Sequence, residues 1–155
     1  MDELWSAPAK VNLSLRIGRP RADGYHPLDS LVQAIDWSDE LRFRDADEDH
    51  LAIEGVALPT DGDNLVWKAI EALGVEDRSP LDISLAKRIP AGAGLGGGSS
   101  DAACVIAAVG DWYRISRADR EKAAVRVGAD VTFFLSGGTA RMEGIGERLT
   151  RLDPL

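Results

Sequence analysis

An α+β domain is the fold class this sequence predicts, on three observations. Apolar–polar alternation marks short strands in the first third of the chain, and helical spacing dominates the later part. No internal repeat or regular strand–helix alternation links the two parts. The 155 residues suffice for one domain with its own core.

In residues 10–17, Val11, Leu13, Leu15 and Ile17 alternate with Lys10, Asn12, Ser14 and Arg16, which predicts a half-buried strand. That period puts Lys10 and Asn12 on one face, ~7 Å apart along the strand. Pro20–Pro27 reads as a polar loop with an Asp23-Gly24 turn. Short strands are expected over Leu31–Ile35, Leu41–Phe43 and Leu51–Ile53. The acidic run Asp45–Asp49 reads as a solvated loop, because its spacing fits no calcium loop. Val66, Ala69, Ile70 and Leu73 have helical spacing, with Asp63 or Asn64 as cap and Gly74 as stop. Leu81–Leu85 is a strand leading to Lys87 and Arg88. Ala102–Val109 is apolar nearly all round and predicts a buried helix. Another helix begins at Ser116 and ends at Gly128. Val131–Leu135 is strongly apolar, with Asp130 beside it read as a turn or cap residue, and Thr139–Met142 is a final strand.

The net charge of −8 argues against nucleic acid or an anionic membrane surface as a partner. Cys104 is the single cysteine, which leaves no intrachain disulfide, and His26 and His50 form no zinc-ligand spacing with it. The first thirty residues have no signal-peptide pattern and no segment is long enough to span a membrane, so a cytoplasmic location is the expectation.

The stretch with the most chemical content is Pro90-Ala91-Gly92-Ala93-Gly94-Leu95-Gly96-Gly97-Gly98-Ser99-Ser100, which runs straight into the apolar helix. Such a loop presents bare backbone N–H groups at a helix start, where the dipole also favours an anion, and a phosphate is the natural guest. Several readings compete. A Walker A loop would end in Gly-Lys-Ser/Thr, and Gly98 is followed by Ser99. A dinucleotide fingerprint is formally present as Gly92, Gly94 and Gly97, but Gly110–Arg114 is no buried strand to complete a βαβ unit. A functionless linker fits poorly with Leu95 inside the loop and a core helix directly after it.

Pro90–Ala103 resembles the second motif of the GHMP kinases. Ala7-Pro8-Ala9-Lys10-Val11-Asn12-Leu13-Ser14-Leu15, with Asp23-Gly24-Tyr25-His26-Pro27-Leu28, is similar to an N-terminal signature within that family, and Gly128–Leu135 resembles its catalytic-aspartate segment. The three stretches occur in the family's order and span nearly the whole chain. The resemblance implies a fold like the ribosomal protein S5 domain 2 and an ATP-dependent small-molecule kinase. ATP would lie along Pro90–Ser100, with Mg²⁺ as companion metal, and Ser99 or Ser100 would cap the helix or reach a phosphate or the metal. Asn64, Leu65 and the stem of Lys87 would border the adenine.

Asp130 matches the catalytic base, with Lys10 beside it to stabilise the developing alkoxide. The resemblance is sharpest to a branch acting on a cytidine diphosphate-linked methylerythritol. There Asn12 would contact substrate near the acceptor, Tyr25 would stack on cytosine and His26 would hydrogen-bond its edge. Thr132 stands where the family usually has proline, which suggests a less rigid turn at Asp130. The family continues into a second domain, so the chain is read as an N-terminal ATP-binding domain, either catalytic within a longer protein or a nucleotide-binding fragment.

Overall fold

The computed structural model describes residues 1–153. In chain order its elements are β1 (Asp2–Ile17), β2 (Leu28–Asp45), β3 (His50–Glu54), α1 (Leu65–Leu73), β4 (Leu81–Ala86), α2 (Gly97–Trp112), α3 (Arg117–Val127), α4 (Ala129–Ser136), β5 (Thr139–Gly144) and β6 (Arg148–Leu152). Strand β2 organises the sheet. Antiparallel β1 lies along one edge of β2, and the other edge is shared by β4, opposite Glu40–Asp45, and β5, opposite Leu28–Gln33. Parallel β3 extends the sheet beyond β4, with α1 in the crossover, and β6 extends it beyond β5.

Helix α2 packs against β1 and β2, and α1, α3 and α4 pack around α2. The main core joins Leu41, Phe43, Ile83 and Leu85 of the sheet to Val66, Ala69 and Ile70 of α1 and to Ala102–Val109 of α2. A smaller cluster of Val32, Phe133, Ala140 and Met142 holds α4 on the β2–β5 side.

The expected class is present, with several local corrections. The strands expected at Leu31–Ile35 and Leu41–Phe43 are one 18-residue strand. The register steps from Pro8↔Ser38 to Ala9↔Ile35, so Asp36 and Trp37 are extra residues on β2, and they interrupt the apolar pattern without ending the strand. A second register shift leaves Leu13 unpaired between Asn12↔Val32 and Ser14↔Leu31. Beyond it, Leu15 pairs Ser30 and Ile17 pairs Leu28, so both lie on the face of Lys10 and Asn12, not opposite it. Leu13, Leu15 and Ile17 are exposed, which corrects the expected burial of that stripe. Asp49 is also more than a solvated loop residue: it pairs with Arg78 and accepts the Leu81 N–H at 3.0 Å. Val131–Leu135 belongs to a helix, α4, in whose first turn Asp130 lies.

Candidate functional site

Helix α2 starts earlier than its apolar run. Gly96 is its N-cap, and no side chain caps it. The first backbone bond closes from Ser100 N–H to Gly96 O at 2.9 Å. The N–H groups of Gly97, Gly98 and Ser99 therefore have no intrahelical partners. This corrects the expectation that Ser99 or Ser100 caps the helix: both lie inside its first turns. The Ser100 hydroxyl oxygen is buried without a partner.

The loop before α2 turns through Gly92, Gly94 and Gly96, with φ of 72°, 76° and 71°. Gly96 is irreplaceable on two counts. Its φ is left-handed, and a Cβ there would lie 2.8 Å from Phe134 Cε2 and 3.2 Å from Lys10 Cε. Lys10 N–H also donates to Leu95 O at 2.9 Å, so β1 fixes the loop by a backbone bond.

Lys10 is buried, and its ammonium donates to Asn12 Oδ1 at 2.7 Å and lies 3.4 Å from Asp130 Oδ2. The Asn12 amide donates in turn to Ser30 Oγ at 2.7 Å, whose hydroxyl donates to Ser14 O at 2.7 Å. This chain orients Asn12 so that its oxygen faces the ammonium. Three distant segments, β1, the glycine loop and the start of α4, thus meet around Lys10. Ser30 was not visible as a site residue in the sequence, because a serine on a strand carries no motif.

A cleft of ≈ 490 Å³ is lined by Lys10, Asp130, Pro90–Ser99, Lys87 and Asp101, with Leu58, Pro59, Asn64, Leu65 and Leu85 as further wall. Leu58, Pro59, Leu65 and Leu85 supply the cleft's apolar wall. A larger hollow of ≈ 730 Å³ between α3, α4 and β6 is lined by Arg117, Arg120, Glu121, Glu147 and Arg151 and holds none of the glycine-loop residues. The smaller cleft is the candidate site because the unpaired amides, the ammonium and the carboxylate converge there.

Asn64 caps α1, accepting Val66 N–H at 2.9 Å and donating to Pro59 O at 2.7 Å. Lys87 lines the cleft, and its ammonium pairs with Asp39 and Asp101. Burial raises the Asp101 carboxyl to about 7, against the opposing pull of Lys87. Lys87 itself is raised: burial works against its charge, but Asp101 and Asp39 outweigh it.

Tyr25 and His26 are not in this cleft. They lie in the β1–β2 connection, where Tyr25 is exposed and His26 Nδ1 donates to Gly18 O at 3.1 Å. Among the described residues no three His, Cys, Asp or Glu side chains cluster as a metal site, and no helix is long and apolar enough to cross a membrane.

Residues 64–138 match the GHMP kinases N terminal domain. The chain is 45% identical over 156 residues to the 4-diphosphocytidyl-2-C-methyl-D-erythritol kinase of Deinococcus radiodurans, covering 96% of this chain and 52% of that protein. A crystal structure of 4-(cytidine 5'-diphospho)-2C-methyl-D-erythritol kinase matches with a TM-score of 0.79 at 42% identity, over 97% of this chain and 55% of that one. Mevalonate kinase of Methanococcus jannaschii has the same fold at 16% identity, with a TM-score of 0.68 over 99% of this chain and 56% of that one. The chain spans about half the length of the curated relatives it matches.

Proposed function

The chain belongs to the GHMP kinase family, and on that premise we propose that it is the ATP-binding part of a kinase for 4-diphosphocytidyl-2-C-methyl-D-erythritol, transferring the γ-phosphoryl of ATP to the 2-hydroxyl. The observation that carries this reading is Lys10 Nζ 3.4 Å from Asp130 Oδ2 at the end of a loop of unpaired amides. Phosphoryl transfer asks mainly for positioning and charge neutralisation. The amides of Gly97, Gly98 and Ser99 meet the phosphate oxygens at the positive end of α2. The apolar wall of Leu58, Pro59, Leu65 and Leu85 takes the adenine.

Asp130 accepts a hydrogen bond from the acceptor hydroxyl, aims its oxygen at the γ-phosphorus and takes the proton as the bond forms. Lys10, held by Asn12, faces the oxygen on which negative charge develops. Mg²⁺ suits a site with few carboxylates, since it binds through one or two of them plus substrate phosphates. Ser99 and Asp130, both in the cleft wall, are the side chains that would hold it. When bound, it would neutralise phosphate charge.

The cytidine end of the substrate is assigned to Tyr25 and His26. Five residue steps of β1 lead from Asn12 to Ile17, roughly 17 Å at strand rise. Only a long acceptor joins both ends of that ribbon, and a nucleoside diphosphate-linked polyol has that form.

The test is ADP release with ATP and each acceptor, alongside calorimetric binding of a non-hydrolysable ATP analogue. Turnover is expected with the cytidine-linked acceptor. Asp130→Asn is expected to lower kcat by ~10²–10⁴-fold while analogue affinity changes little. Turnover with homoserine or a mevalonate phosphate instead would move the substrate within the family. Analogue binding without any turnover would make the chain a nucleotide-binding fragment. Equal turnover by Asp130→Asn would reduce that residue to a helix-terminus acid.

A further inference from the structure

Directly beneath the glycine loop lies an ion cluster that takes no part in the chemistry proposed above. The Lys87 ammonium bonds one Asp39 oxygen and, at 2.8 Å, Asp101 Oδ2. The other Asp39 oxygen accepts the backbone N–H groups of Arg88 at 2.5 Å and Ile89 at 2.8 Å. Asp39, Lys87 and Asp101 side chains are 0%, 3% and 5% exposed, so solvent holds none of them in place. Their origins differ: Asp39 comes from β2, Lys87 follows β4, and Asp101 lies in the second turn of α2. One lysine therefore ties the sheet to the strand that enters the loop and to the helix that leaves it.

The loop rests on this post. A Cβ on Gly97 would be 3.0 Å from Lys87 Nζ and 3.0 Å from Ile89 Cγ2. The height of Gly97 above the sheet, and hence the direction of the first α2 amides, is set by the ammonium and by the Ile89 side chain. Asp39 anchors both of these, through Oδ2 and through the Ile89 N–H. A buried ion cluster adds little net stability over apolar packing of the same volume, whereas its directional bonds hold a backbone in one place.

We propose that Asp39, Lys87 and Asp101 are positioning residues that hold the glycine loop at the height where its amides converge on a nucleotide phosphate. The consequence for ATP rests on the nucleotide reading of the cleft; the positioning of the loop does not. Two readouts keep them apart. Amide hydrogen exchange at Lys10 and Ser100, whose N–H groups bond Leu95 O and Gly96 O of the loop, reports the loop without any ligand. Calorimetry with a non-hydrolysable ATP analogue reports the site.

Both are measured on wild type, Asp101→Leu, Lys87→Met and Asp101→Asn, each well below its own Tm so that only folded protein contributes. Asp101→Asn keeps an oxygen for Lys87 and should bind the analogue within about threefold of wild type. Asp101→Leu and Lys87→Met should speed loop exchange at least ~10-fold, with exchange in α3 unchanged, and weaken analogue binding at least ~10-fold. Wild-type loop exchange and wild-type affinity in folded Asp101→Leu and Lys87→Met would overturn the proposal. A lowered Tm with neither readout moved would overturn it equally, since the cluster would then serve stability alone. Wild type that fails to bind the analogue would overturn the nucleotide reading and leave hydrogen exchange to decide the positioning role. If Lys87→Met does not fold, Asp101→Leu against Asp101→Asn carries the same decision.

Discussion

At the residue scale, Asp101 is the carboxyl whose surroundings move it furthest. Burial disfavours its charge, Lys87 favours it, and burial wins, leaving the group at about 7 against 3.8 for a free side chain. Between the two values the folded state holds a proton that the unfolded state has released. Asp101 therefore supports folding fully below the lower value and loses that support as pH rises through the upper one. Asp101→Asn removes the titration while retaining a hydrogen-bond acceptor for Lys87. From about pH 4 to about pH 8, the stability of wild type relative to Asp101→Asn should fall by a few kcal/mol, since each pH unit between the two values contributes ~1.4 kcal/mol. Urea denaturation of both proteins across that range measures the difference. A difference that stays flat with pH would mean that Lys87 keeps Asp101 ionised throughout.

At the element scale, α1 joins a locally coded helix to one wall of the cleft. Of the two caps expected, Asp63 or Asn64, it is Asn64 that caps α1, and its amide also reaches Pro59 O, while Trp67 Nε1 donates to Thr60 O at 2.9 Å. One cap thus fastens both the helix and the Leu58–Pro59 side of the cleft. Asn64→Ala should destabilise the fold by ~1 kcal/mol and weaken ATP-analogue binding a few-fold, read by thermal unfolding and calorimetry. Asn64→Asp keeps the cap acceptor but cannot donate to Pro59 O, so it should recover the stability and not the binding. Helices α1 and α3 were readable for the same reason: Asn64 and Ser116 cap them, Gly74 and Gly128 come directly after them, and those signals act within a turn. Helix α4 was not, because Val131, Phe133, Phe134 and Leu135 show no face, and its packing on Val32 and Met142 decides its form. The start of α2 was hidden by glycine and serine, which are weak helix formers. In the site, the shared face of Lys10 and Asn12 was legible from strand period, and their part in the site only from the family resemblance. The Asp39–Lys87–Asp101 cluster was not, since nothing in the sequence links residues from β2, the end of β4 and α2.

At the scale of the whole molecule, the proposed function divides along β1. The middle of β1 meets the glycine loop and Asp130 through Lys10, and its C-terminal end leads to the turn carrying Tyr25 and His26. The turn is built locally: Tyr25 N–H donates to Asp23 Oδ1 at 3.1 Å, and Arg21 pairs with Asp23 at 2.9 Å. None of its bonds reaches the nucleotide cleft, so changes there should not propagate to ATP. Tyr25 is 59% exposed and makes no packing that its loss would empty, so Tyr25→Ala should leave Tm nearly unchanged. Loss of a base-stacking platform removes ~1–3 kcal/mol, or roughly 5- to 150-fold in KM for the cytidine-linked acceptor. Analogue affinity should stay at the wild-type value. Combined with Asp130→Asn, the two effects should multiply, because sites more than about 10 Å apart with no shared partner act independently. Steady-state kinetics of the two single variants and the double variant measure this. A Tyr25→Ala protein with unchanged KM would remove the base from that turn, and a KM effect that vanishes in the double variant would mean that the turn and the Lys10–Asp130 site are coupled.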